Sequence, residues 1–335
     1  MEQSDPPAPD PEILAKLAGL PDEIAPSFAG DMRHLLASTK EVLPRLTRVL
    51  SSPDIEHEKR FAALYGILVW HWRNSDFDEY AKVVSHYQYE FGEHPLFPSF
   101  RAQQCLSTAI RPEQVELALE FARVAVERAP ELPGVRHLFA EIVAALADLR
   151  PEIPAGLIAE GLSNGERALA LSLNPYAKYF ATRARLLAQL GRFDEAYESI
   201  RRAVSIEPSG APQYVLRLAD YQAIRLKIDI RRAQERLGAK QAAALARLEE
   251  VRSHVIELLG LLSAVIAFLL TSTQIATHLG FRDAARLMII LCGGNLVTFS
   301  AFSLVFSAGR PRVSTIIAIL LGFALASLAF FPTSL

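Results

Sequence analysis

Apolar residues recur along most of the chain at steps of three and four, the spacing of one face of a helix. Proline and glycine interrupt that spacing often, so the pattern predicts many short helices joined by tight turns. Segment 61–72 sets Phe61, Leu64, Leu68 and Trp72 on one stripe, which turns His71 away from the core, and 77–91 follows as its antiparallel partner. Pro112 stands at a helix start, where its missing N–H costs nothing. Segment 134–175 is long enough for a divergent, lengthened hairpin. Near the start, helices at 12–20 and 31–51 are expected to cap the array, the second bent or broken by Pro44.

After Pro208 the punctuation stops. Segment 211–237 reads as continuous helix, and beyond Gly238 a stripe of Leu237, Ala244, Leu248, Val251, Val255, Leu258 and Leu262 runs on at heptad-like steps, with Gln241 in one slot. Two outcomes stay open for it, packing against the last helix of the array or self-association as a stalk.

Three apolar runs then close the chain, 255–276, 287–308 and 313–331. Each approaches the roughly 20 residues that a helix needs to cross a hydrocarbon core. Arg236, Lys240, Arg247 and Arg252 precede the first run, and Arg310 and Arg312 separate the second from the third; Arg282 and Arg286 lie on the other side. The positive-inside rule then places the N-terminal part in the cytoplasm and the C-terminus opposite. Arginine outnumbers lysine, a bias of GC-rich bacterial genomes, so the bacterial inner membrane is the expected location. In the second run Cys292, Asn295, Ser300, Ser303 and Ser307 share about half of the helix circumference. This polar stripe is either interhelical hydrogen bonding or the lining of a pore. Gly322 and Ala326 in the third run form a small-residue pair that permits close helix contact.

The sharpest internal pattern spans 176–208: Phe180, Ala184, Leu187, Gly191, Phe193, Ala196, Ile200, Ala203 and Pro208. A large residue, a small one four later, a Gly-x-aromatic turn, two small residues and a closing proline resemble the tetratricopeptide repeat. Ala118, Ala125 and Pro130 repeat the mutual spacing of Ala196, Ala203 and Pro208, and Pro95 closes an earlier candidate. The resemblance implies an all-α solenoid with an inner groove that binds a protein or peptide. Carried over position by position, it puts Lys178, Ala181 and Arg185 on the groove face, with Gln103 and Ser107 there in the earlier copy. The two cations are candidates for an acidic peptide or a C-terminal carboxylate, or are ordinary solvated charges. The full carboxylate clamp of the family's chaperone-binding members is not visible.

The expected organisation is therefore a disordered segment 1–11, capping helices 12–56, TPR-like repeats 57–208, a long connector helix 209–254 and a three-span transmembrane domain 255–335. Composition adds little to this. Lys+Arg is 35 against Asp+Glu 37, so no global field recruits nucleic acid. The 51% hydrophobic content is high for a soluble protein, and the excess sits in the last quarter. Two cysteines, Cys105 and Cys292, fall in different regions and pair in neither a disulfide nor a metal site. His86 and His94 lack a third ligand, and no phosphate loop, nucleophile elbow or zincin motif occurs. The sequence thus points away from an enzyme and calls for no catalytic residue, cofactor or metal. It points to a membrane-anchored adaptor that binds a cytoplasmic partner through its groove. The alternative is an oligomeric membrane effector whose repeats gate bilayer disruption by the spans.

Overall fold

The computed structural model describes residues 10–150, 152–172, 176–210, 213–276, 280–306 and 313–328, and among these it is all-α. The chain divides into two compact units, Met1–Arg236 and Leu237–Leu335.

The first unit opens with α1 (Pro11–Ala18), α2 (Phe28–Ser38) and α3 (Val42–Ser51). Residues 1–9 of the expected disordered segment lie outside the described residues, whereas Asp10 is a structured N-cap: its carboxylate accepts a hydrogen bond from the Glu12 N–H at 2.9 Å. Pro11 sits directly behind it in the first turn. The break between α2 and α3 falls ahead of Pro44, not at it. Glu41 takes the left-handed conformation, φ 48°, and Pro44 lies within the first turn of α3, where no N–H is required of it.

Antiparallel pairs follow: α4 (His57–Arg73) with α5 (Phe77–Phe91), α6 (Phe97–Ser107) with α7 (Pro112–Arg128), α8 (Pro133–Leu149) with α9 (Ala155–Leu171), and α10 (Ala177–Gln189) with α11 (Phe193–Ile206). Prolines enter at the first turns of α6, α7 and α8. Small residues carry the contacts between helices. Ala118, Ala122, Ala140, Ala144, Ala184, Ala196 and Ala203 are fully buried, and Leu186, Leu187 and Ile200 fill the space among them. A second cluster gathers Phe28, Met32, Leu46, Phe61, Leu64, Leu68, Phe91 and Phe97 around α2–α6. Burying each of the large side chains is worth about 1.5–3 kcal/mol.

Two pairs are closed by the same turn. At the end of α10, Gly191 adopts φ 73°; its N–H bonds to the Ala188 carbonyl and the Arg192 N–H to the Leu187 carbonyl, a Schellman motif. At the end of α4, Ser75 adopts φ 59°, with Ser75 N–H to Trp72 and Asp76 N–H to His71 in the same register. Phe193 and Phe77 begin the next helix at the same offset. The packed pairs are thus compatible with a helical repeat array.

α4 departs from the expected single apolar stripe. It is covered on several sides, so His71 is buried and its Nδ1 lies 2.9 Å from Asp76 Oδ2, while Trp72 is only half-buried.

α12 (Tyr214–Ala276) runs through Gly238 without interruption, its first turns in the first unit. Tyr197 donates to Asp229, and Arg232 stands 3.2 Å from Asp194, fixing α12 to α11. The second unit takes the rest of α12 with α13 (Phe281–Phe306) and α14 (Val313–Leu328). Gly322 of α14 approaches the α13 backbone so closely that a Cβ there would stand 2.8 Å from the Gly293 carbonyl oxygen. Ala326's side chain is outside the described residues. Among these residues one helix, Tyr214–Ser272, is long and apolar enough to cross a membrane; Ile316–Leu325 is a shorter apolar stretch. The ends expected for the second and third runs, 308 and 331, lie outside the described residues.

An L-residue in the left-handed region costs about 1–2 kcal/mol. Gly191→Ala is expected to lower stability by that order, and Ser75→Gly to raise it by up to about 1 kcal/mol. Thermal unfolding followed by tryptophan fluorescence checks both, since Trp70 and Trp72 both lie on α4.

Candidate functional site

A cavity of about 670 Å³ opens in the first unit. Its walls come mainly from α2 and from the first helix of each pair, α4, α6, α8 and α10, with Arg217 of α12 at one side. The second helices α7 and α11 stand behind these walls, with Ala118, Ala122, Ala196 and Ala203 buried in the core.

Aromatic rings form much of the wall. Tyr65 and Trp72 come from α4, Phe100 from α6, and Tyr176 and Tyr179 from the start of α10. Burial pushes the Tyr65 and Tyr179 hydroxyls up to about 12. Two guanidinium groups approach the Tyr176 ring, Arg33 at 6.0 Å and Arg217 at 5.9 Å from its centroid. Arg217 is held 2.8 Å from the buried carboxylate of Glu207, which also accepts a 2.7 Å hydrogen bond from Tyr221. The Gln213 amide donates to the Arg73 carbonyl at 2.8 Å, so the start of α12 meets the end of α4. Arg33 and Arg73 are exposed on the lining and have no carboxylate partner among the described residues. Glu23 and Asp31 add negative charge near α2.

The floor is a buried polar group. His137 Nε2 lies 3.0 Å from Thr182 Oγ1, and its ring stacks on Tyr179 at 4.3 Å. Burial holds His137 down at about 4, so it is neutral near pH 7. Glu141 pairs with Lys178 at 2.7 Å. Burial alone would raise the Glu141 carboxyl, but Lys178 and His137 beside it more than offset that and keep it below its ordinary value. The Lys178 ammonium also sits 4.8 Å over the Trp72 ring.

Of the groove residues expected from the sequence, Gln103 and Lys178 line the cavity. Ser107 is engaged at one remove, accepting a 3.0 Å hydrogen bond from the Gln103 amide. Ala181 is buried in the core. The two cations are not free for a ligand. Lys178 is neutralised by Glu141, and Arg185 by Asp148 at 3.1 Å, a carboxylate that Lys227 of α12 also reaches at 3.0 Å. The partners are each 37 residues upstream, one repeat back, and a single-repeat motif carries no sign of them. Arg33, Trp72 and Arg73 were missed because they lie outside the best repeat, and Tyr176 because it stands at that repeat's first position, ahead of its matched residues; the adjacent Trp72–Arg73 pair was the available signal.

The expected polar stripe of α13 does not share one environment: Cys292 is exposed, Asn295 half-buried and Ser300 buried. The Ser303 side chain and Ser307 lie outside the described residues. No protein-family model matches the chain, and no curated protein matches it.

His137 supplies a pH dependence. Its folded value, about 4, is below the ordinary 6.5, so the unfolded chain binds the extra proton between these values. Stability is expected to fall as pH drops from about 6.5 towards 4, and His137→Gln to flatten that slope. Denaturant midpoints measured across this window test it.

Proposed function

We propose that the chain is a membrane-anchored adaptor of TPR-like repeats, whose groove holds an acidic segment of a cytoplasmic protein partner. The carrying observation is the cavity of about 670 Å³ walled by the first helices of successive pairs, where Trp72 and Tyr176 stand with Arg33 and Arg73. In a repeat array of this kind the first helices line the inner surface, and that surface is where an extended segment lies. Aromatic rings offer apolar contact, and guanidinium groups without a carboxylate partner offer charge-assisted hydrogen bonds to a carboxylate. The Schellman turns after α4 and α10, in equivalent positions, support the repeat reading.

Anchoring rests on α12, with the runs 287–308 and 313–331 as second and third spans and the repeats on the cytoplasmic side, as the arginine distribution favours.

Two measurements test the two halves. The full-length chain should sediment with membranes and resist release by high salt, yet be solubilised by detergent; a dispersed species without detergent ends the anchored reading. Affinity purification from cells should recover a partner that Arg33→Glu with Arg73→Glu loses, with binding at least about tenfold weaker, or about 1.4 kcal/mol. Lys178→Glu is unsuitable, because it would set two carboxylates against each other at Glu141. Unchanged recovery with the double variant sinks the groove.

A further inference from the structure

From Leu237 onward α12 presents apolar side chains that no other described residue of the second unit covers. Leu245, Leu248 and Val251 are 63, 63 and 59% exposed. The stretch 237–272 is about 54 Å long at 1.5 Å per residue. A hydrocarbon core is about 30 Å thick and accounts for about 20 residues, so roughly the first 16 residues project beyond it. The helix on either side nucleates this stretch, yet it exposes two leucines and a valine where water would meet them. Something must cover it.

The sequence of the face identifies the cover. Leu237, Ala244, Val251, Leu258 and Val265 recur every seven residues, with Gln241, Leu248, Val255 and Leu262 between them. These are the d and a positions of a coiled-coil heptad. Chains inserted through the same segment stand in the same direction, so identical faces meet in parallel and in register. The occupant is another copy of this chain.

The flanking charges speak to the number of copies. In a parallel pair each g residue faces the next e residue of its neighbour, which would set Arg247 against Arg252, an unfavourable match. Leu245, at another e position, would stay partly in water. When more than two helices associate, e and g turn inward and come within reach of the neighbour's b and c positions. Arg252 then meets Glu249, and Arg247 meets Glu250, while Leu245 is covered. None of these four charged residues has an ion-pair partner among the described residues. We propose that segment 237–255 of α12 packs in parallel against the same segment of at least two further copies of this chain. The inference depends on the anchor and not on the groove.

The test uses the full-length chain in membranes with Cys105→Ala and Cys292→Ala. Under mild oxidation Leu248→Cys and Val251→Cys should give disulfide-linked chains, whereas Ala246→Cys and Ser253→Cys, on the opposite face, should not. Equal cross-linking at all four positions, or none at any, overturns the proposal, the latter being the outcome if the face lies on lipid. Arg247→Glu separates the stoichiometries. It should dissociate a larger bundle by opposing Glu250, and tighten a pair by attracting Arg252. Particle mass in lipid nanodiscs reads this out; a dimer that Arg247→Glu strengthens overturns the claim of more than two copies. Restored assembly on adding Glu250→Arg to Arg247→Glu confirms the register. Trp70 and Trp72 fluorescence, unchanged in each variant, reports that the first unit stays folded.

Discussion

A helical hairpin with apolar residues on both faces cannot bury them within itself, and this constraint organises the first unit. One face closes within the pair; the other must meet the next pair. Ala140 and Ala144 of α8 and Ala184 of α10 are fully buried in the one core that the later pairs share. Within a pair the approach is tight: a Cβ on Gly161 of α9 would stand 2.8 Å from Val143 of α8. With packing assigned to these contacts, the outward-turned sides of the first helices keep their large aromatic rings for the cavity.

The same arrangement decides which charges are available. Cations at repeat spacing find acids one repeat back, as Lys178 finds Glu141 and Arg185 finds Asp148. These pairs hold the array in register and remove both cations from the pool that could recognise a ligand. The groups that remain come from less regular parts of the chain, Arg33 on α2 and Arg73 at the last turn of α4.

The helices were legible because proline, glycine and a three-four spacing mark them locally. The α10–α11 pair could be read almost residue by residue, down to Gly191 in its turn. Its counterpart after α4 was harder to see, because Ser75 occupies the left-handed position that glycine usually takes. The break before α3 was misassigned to Pro44, since sequence shows a proline and not a neighbour's φ angle. His71 was misassigned for a related reason: periodicity on one helix cannot register how many other helices surround it. The cavity was the least legible feature. Its wall draws on residues from Glu23 to Arg217, and only folding brings them to one surface.

The approach of Gly322 to the α13 carbonyl at Gly293 differs in kind from the alanine and leucine contacts of the first unit. Those contacts owe their strength to water, which gains by being excluded, and an oily solvent would dissolve them. A joint of backbone against glycine relies on dispersion at short range, which surrounding hydrocarbon does not weaken in the same way. The chain thus uses two adhesives suited to different solvents, and the α13–α14 hairpin has the one that would still hold in oil.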